Sequence, residues 1–319
     1  MPQRRRPPGR PPGAAPRRAV RRTGRRRRRR RGGRRFFIAM LFVLAFALVY
    51  YFFGDRIFPG AEGLVLAHDE IAVSFIDVGQ GESILIRSAN HAVLIDGGEH
   101  AQRNAVLNYL RDAGVRRLDY VVATHPHSDH IGGLVTVLSQ LEIGRVVMPD
   151  VTHTTDTFRR FLEAIDNRNI PVTIPNPGDI LRVGIIELTV IGPPNPHPWP
   201  DTDLNNASIV LRLAHGRTSV LFTGDAEYQL ERWILDSDAI ISSSVLNVGH
   251  HGSRTSTSDA FLHAVNPRAA VISVGANNQF GHPHREVTDR LNARGVTIFR
   301  TDQLGTVRMI TDGENIYFR

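Results

Sequence analysis

The sequence predicts an α/β protein with two facing layers of sheet and helices outside, preceded by a disordered Arg-rich tail and one transmembrane helix. Three observations predict it. After residue 70 the chain reads as strands followed by alternating helix and strand, and then runs through that order a second time. Two such layers bury their apolar faces against each other. The stretch Thr124-His125-Pro126-His127-Ser128-Asp129-His130 places three histidines and a carboxylate within six positions. Residues 1–35 hold 17 Arg and no acid, and the uncharged run Phe36–Phe53 follows at once.

The tail comes first. The net charge of +8 over 319 residues belongs to it, because the remaining residues carry 22 Arg against 31 acids, a net of −9. All 39 basic residues are Arg. A segment this rich in Arg, Pro and Gly buries no core, so residues 1–35 are expected to be disordered. The next segment, FFIAMLFVLAFALVYYFF, has 18 residues and just suffices to span a bilayer as a helix. Tyr50 and Tyr51 mark its far interface. With 17 Arg on one side and only Arg56 close on the other, the positive-inside rule puts the N-terminus in the cytoplasm and the rest outside. The tail then serves topology and anionic lipid headgroups. The competing reading is a signal peptide cut near Ala61 or Ala67. The apolar run exceeds the about 7–15 residues usual for such signals, which favours an uncleaved anchor. Residues 54–69 form a linker, and residues 70–319 the soluble domain.

Within that domain, Ile71–Ile76 alternates as a strand. Asp77 to Ser83 is a glycine-bearing turn, Ile84–Ile86 a second strand, and His91–Ile95 a third that ends in Asp96-Gly97-Gly98. Gln102–Ala113 reads as an amphipathic helix. Leu118–Ala123 is a buried strand that runs into the histidine loop. Gly133–Gln140 is helical and Arg145–Met148 a strand. Asp156–Asn167 is helical, with Phe158, Phe161, Leu162 and Ile165 on one face. Strands follow at Val172–Ile174, Ile180–Val183 and Ile186–Ile191. After the Pro-rich loop Pro193–Asp203, Ala207–Leu213 and Thr218–Phe222 form a hairpin that ends in Thr223-Gly224-Asp225. Helices are expected at Glu227–Leu235, Asp259–Val265 and Arg285–Ala293. Strands are expected at Ser244–Val248, Ala269–Val274, Val296–Phe299, Thr306–Ile310 and Asn315–Phe318.

The polar residues at strand ends carry the chemistry. Imidazole and carboxylate suit zinc and similar divalent ions. A strand would alternate the four side chains of the histidine loop between faces, and a helix would spread them over nearly two turns, whereas a tight loop turns all four inward. There is no Cys, so disulfides, Cys-ligated zinc and thiol nucleophiles are excluded. Asp225 ends a buried strand and suits either a shared metal ligand or a helix N-cap. His250 and His251 end another strand, with Gly252 and Ser253 behind them. His282 and His284 flank Pro283. His153 and His197 lie in loops and read as surface residues.

These residues together resemble the metallo-β-lactamase superfamily of metal-dependent hydrolases, and more closely its ComEC/Rec2 competence family. The resemblance covers about residues 70 to 319. It is carried by Phe75 to Ser83, Thr124 to Gly133, Asn206 to Leu213 with Phe222-Thr-Gly-Asp225, and Val248 to Ser253 with Ile272 to Gly275 and Gly281-His-Pro283. It implies an αββα sandwich with a two-metal site at the sheet ends, zinc or manganese. His125, His127 and Asp225 would hold one ion. Asp129, His130, Asp225 and one of His250 or His251 would hold the other. The family's further histidine between the metal loop and Thr-Gly-Asp has no clear match, since His197 is poorly placed. Asp96 would orient the metal loop. The turn carrying Asp77, Gln80 and Glu82 would lie at the cleft, with Glu82 where the family commonly has Asp; Asn206 and Ser253 would lie near substrate.

The implied chemistry is hydrolysis by an activated water, with Asp129 managing the proton and His250, His251 and His282 protonating a leaving oxygen or contacting phosphate. The expected substrate is a phosphodiester, DNA first. The alternatives are a phosphodiester or phosphocholine ester of the cell envelope and, further off, a lactam or lactone. A domain of net −9 is a poor match to a polyanion unless basic residues cluster at the cleft.

Overall fold

The computed structural model describes residues 65–200 and 202–319. The tail, the 36–53 anchor and most of the linker expected from the sequence lie outside the described residues. No helix among the described residues is long and apolar enough to cross a membrane.

The first sheet uses β1 (Ile71–Phe75), β2 (Ile84–Arg87), β3 (Ala92–Ile95), β4 (Arg117–Val122), β5 (Glu142–Val147) and β6 (Val172–Thr173), completed by β14 (Val307–Thr311) and β15 (Ile316–Phe318). Their order is β15-β14-β1-β2-β3-β4-β5-β6. The second sheet uses β7 (Ile180–Val183), β8 (Ile186–Gly192), β9 (Val210–His215), β10 (Thr218–Phe222), β11 (Val245–Asn247), β12 (Ala269–Ile272) and β13 (Thr297–Arg300). These lie in the order β13-β12-β11-β10-β9-β8-β7.

Alternation along each strand sorts side chains between two cores. In β1, Ile71, Val73 and Phe75 enter the core between the sheets, where Phe75 meets Phe222 of β10 at a ring distance of 6.4 Å. In β3, Val93 and Ile95 join that inner core while Leu94 faces outward. Helices α1 (Arg103–Asp112), α3 (Leu134–Gln140) and α4 (Asp156–Asp166) cover the outer face of the first sheet. Between α1 and α3 lies the short α2 (Ser128–Ile131). Helices α5 (Tyr228–Leu235), α6 (Asp259–Val265) and α7 (Arg285–Ala293) cover the second sheet. The architecture is the expected αββα sandwich. Each fully buried Phe, Leu or Ile in it is worth about 1.5–3 kcal/mol relative to exposure.

Three details differ from the sequence reading. Leu162 was expected on the buried face of its helix but is 40% exposed; Phe158, Phe161 and Ile165 alone form the apolar stripe of α4. The metal loop is partly helical, because α2 begins at Ser128 inside it. The short helix α8 (Thr301–Leu304) has no periodic signal of its own.

Chain direction positions the site. Strands β3 to β6 run parallel, and so do β10 to β13. The carboxyl ends of each set therefore share one end of the sandwich, and the loops after β3, β4, β10 and β11 meet there.

Candidate metal centre

The loop after β4 is fixed by Asp96, which follows β3 in a left-handed conformation, φ 55°. Asp96 Oδ1 accepts the Thr124 N–H at 2.8 Å, and Oδ2 accepts the Thr124 hydroxyl at 2.6 Å. Ser128 then starts α2, and its hydroxyl donates to Glu99 at 2.7 Å. The turn Asp77 to Ser83 packs on the same loop. Gly81 is required there: a Cβ would stand 2.5 Å from the Asp129 carbonyl oxygen, on a backbone with φ 136°.

Asp225 lies between two groups of ligands. Its Oδ2 is 3.6 Å from His125 Nε2, and its Oδ1 is 3.2 Å from His130 Nε2 and 3.6 Å from His251 Nε2. One group is His125, His127 and Asp225; the other is Asp129, His130 and His251. Within each group the donor atoms all lie within 4.8 Å of one another. His125 Nε2 and His127 Nδ1 stand 2.9 Å apart, and His251 Nε2 stands 3.2 Å from Asp129 Oδ2.

The histidine tautomers are set from behind. His130 Nδ1 lies 2.7 Å from Asp96 Oδ2, and His251 Nδ1 lies 2.9 Å from the Ser273 carbonyl oxygen. Each Nδ1–H therefore donates backward, leaving the Nε2 lone pair facing Asp225. Both Nε2 atoms are buried and make no aligned hydrogen bond. That pattern fits a cation, and the nitrogen and oxygen donor set suits a divalent one.

The charges ask for the same thing. Burial pushes the Asp225 carboxyl up, but His130 and His251 outweigh it and hold it well below the carboxylate range. Asp129 follows the same pattern, with burial outweighed by His130 and a hydrogen bond to His251. Burial pushes His130 down, yet Asp225, Asp96 and Asp129 carry it well above the usual imidazole value. Burial likewise opposes charge on His251, but Asp225 and Asp129 raise it to about 9. The buried carboxylates thus draw positive charge to this spot, which a divalent ion held by the Nε2 lone pairs would supply. His125, with burial dominant, stays neutral and keeps a lone pair.

His250, His251 and Gly252 take consecutive left-handed conformations, φ 48°, 53° and 81°. The two adjacent imidazoles diverge as a result. His251 is buried among the second group, whereas His250 is partly exposed, with Nδ1 3.0 Å from Glu227 Oε1 and Nε2 3.8 Å from Asp225 Oδ2. The His282 ring lies 5.5 Å from that of His250 and 6.3 Å from that of His251. Burial and the neighbouring imidazoles push it down to about 4. Phe280, 53% exposed, stacks on His282 with ring centroids 5.6 Å apart.

The other residues expected at the site divide. Gln80 Oε1 accepts the Gly275 N–H at 3.2 Å and ties the first turn to the second half. Glu82 is buried; its Oε2 accepts from Asn247 Nδ2 at 2.8 Å, and burial pushes its carboxyl up to about 7. Asp77 is exposed and caps its own turn through the Gly79 N–H. Ser253 bonds Thr255 and shapes the turn behind His251. Asn206 was expected near substrate, but its amide is engaged internally. Its Nδ2 donates to Asp203 and its Oδ1 accepts the Glu227 and Leu230 N–H groups. His197 stacks on Trp199 in its proline loop. His153, read as surface, brings its ring 6.0 Å from His127. Glu227, Asn247 and Ser208, whose hydroxyl accepts the Asp225 N–H at 3.0 Å, were missed. Ser208 lies within the Asn206 to Leu213 segment, whereas Glu227, at the start of α5, and Asn247, at the end of β11, belong to no motif.

Fold and site together define a two-sheet α/β protein with a histidine–aspartate metal centre at the sheet ends. The model of the metallo-β-lactamase superfamily matches residues 76–276, and the chain belongs to that superfamily. It is 31% identical over 254 residues to ComE operon protein 3 of Bacillus subtilis, covering 74% of this chain and 32% of that protein. It is 34% identical over 248 residues to competence protein ComA of Neisseria gonorrhoeae, covering 75% and 32%. The chain thus spans about a third of the length of these curated relatives. Among solved structures, CmlA, a diiron β-hydroxylase from Streptomyces venezuelae, matches with a TM-score of 0.50 at 15% identity, over 76% of this chain and 54% of that one. At that identity the likeness speaks for the fold alone.

Proposed function

We propose that the domain is a metal-dependent phosphodiesterase, with nucleic acid as the leading substrate. One observation carries the reading: Asp225 directs one oxygen toward His125 and the other toward His130 and His251, whose buried Nε2 atoms have no other aligned partner. His125, His127 and Asp225 would hold one ion, and Asp129, His130, His251 and Asp225 the other, as zinc or manganese. Such ions would supply Lewis acidity toward a phosphoryl oxygen and make a water more acidic.

The chain's own residues do the rest. Asp129 keeps a partly exposed carboxylate at the open side, where it would take the proton of the attacking water. Glu227 orients His250 through Nδ1, which turns Nε2 toward the cleft to deliver a proton to the leaving oxygen. His282 donates a ring N–H to a phosphate oxygen. The domain's excess of acids gives a second substrate reading its support, a phosphodiester of the cell envelope. Residues 36–53 anchor the chain in the membrane with the domain outside, and the Arg tail contacts anionic lipid headgroups on the cytoplasmic side.

The test is cleavage of single-stranded DNA and of a small chromogenic phosphodiester, with Mn²⁺ or Zn²⁺, by the full chain and by His130→Ala. Cleavage that needs metal and is lost in the variant is expected. Equal rates with and without metal, or in both proteins, would refute the reading.

A further inference from the structure

The end of the sandwich opposite the metal centre carries a cleft of about 1130 Å³. It is lined by the first residues of β10 to β13, so the length of the parallel strands separates it from the metal centre. Arg212, Arg217 and Arg268 line it. Arg212 is half-buried and donates from Nε to the Ser242 carbonyl oxygen at 3.1 Å. Among the described residues, neither Arg212 nor Arg268 forms an ion pair; Arg217 alone reaches an acid, Glu314, at 3.5 Å. In a domain with more acids than bases, Arg212 and Arg268 have no carboxylate partner among the described residues and the one such carboxylate lining the cleft, Glu314, pairs with Arg217, which marks a place for an external anion. Ser242, Asn266 and Asn315 add polar groups beside them.

The entry of the chain says which anion. The first described residues lie at this same end: His215 Nε2 donates to the Asp69 carbonyl oxygen at 2.7 Å, and Arg217 N–H donates to Gly313 at 2.6 Å. Residues 54–68 separate Asp69 from the uncharged run that ends at Phe53. Fully extended, such a linker reaches about 54 Å at most. The cleft is also rimmed by exposed apolar and aromatic side chains, Ile240 at 72% and Tyr317 at 52%, of the kind that settle at a bilayer interface.

We propose that this cleft receives the phosphate of an anionic lipid headgroup, so that this end of the domain rests on the bilayer and the metal centre faces away from it. The proposal rests on residues 36–53 being a membrane anchor. It is independent of which diester the metal centre cleaves.

The chain contains no Cys, so one introduced thiol can be labelled alone. Full-length Ile240→Cys and Gln279→Cys, the second beside the metal centre, are labelled with a fluorophore. They are placed in nanodiscs of phosphatidylcholine, with or without phosphatidylglycerol, that carry a spin-labelled lipid quencher. Quenching at position 240 several-fold above that at 279 is expected with phosphatidylglycerol. The difference should shrink in phosphatidylcholine alone and in Arg212→Gln/Arg268→Gln, and return in Arg212→Lys/Arg268→Lys. The comparison of lipids does not depend on any arginine variant. Equal quenching at the two positions with phosphatidylglycerol, or shielding of position 240 by single-stranded DNA rather than lipid, would overturn the proposal while leaving the anchor intact. Failure of the chain to enter nanodiscs would overturn the anchor and the proposal together.

Discussion

Asp96 Oδ2 lies 2.7 Å from His130 Nδ1, and both side chains are sealed from solvent. The same carboxylate holds Thr124 at the mouth of the metal loop. Asp96 thus fixes a ligand and the loop that carries it. Orienting partners of this kind cost about 10–100-fold in metal affinity when removed. Asp96→Asn should weaken binding by that factor while the fold survives, read by competition against a chelating dye with circular dichroism as control. Unchanged affinity would assign Asp96 to folding alone.

Asp225 and His127 separate shared from single ligation. Asp225 faces both groups, so Asp225→Asn should leave less than one ion per chain, whereas His127→Ala should leave one. Elemental analysis after desalting reads both. Two ions retained by Asp225→Asn would break the bridging assignment.

Glu82 gives the metal-free protein a pH signature. Burial raises its carboxyl from 4.5 to about 7, so the folded state holds a proton that the unfolded chain releases sooner. Its contribution to stability is complete below about pH 4.5 and is lost as pH rises through 7. The urea midpoint of chelator-treated protein should therefore fall more between pH 5 and 8 in the native sequence than in Glu82→Gln. Parallel slopes would show that Glu82 ionises freely.

Phe280 offers an exposed ring at the lip of the centre, stacked on His282. A base stacked on an aromatic side chain is worth about 1–3 kcal/mol. If the substrate is single-stranded nucleic acid, Phe280→Ala should raise KM roughly 5- to 150-fold on that energy scale, leaving kcat and a small dialkyl diester untouched. An equal loss on both substrates would place Phe280 in the catalytic turn instead.

The sandwich and the metal loop were legible because their signals are local. Strand alternation announces each sheet, and His125, His127, Asp129 and His130 lie within one turn of chain. Partners brought together from separate stretches of chain were not legible. Asn247 meets Glu82 across 165 positions, and Glu227 finds His250 across 23. The choice between His250 and His251 is geometric, since only backbone dihedrals tell which ring turns inward. Leu162 and Asn206 show the converse. A side chain at the edge of an apolar stripe, or beside a functional motif, has its role decided by what packs against it.

The left-handed run His250-His251-Gly252 makes this segment a matter of phase. Each such non-glycine residue carries about 1–3 kcal/mol of strain, which only a well-determined surrounding can hold. A Cβ on Gly252 would stand 2.6 Å from Pro283, so the backbone has no room to slide. Inserting or deleting one residue here would exchange the places of two chemically identical rings. The segment should therefore tolerate a change of letter at Ser253 far better than any change of length.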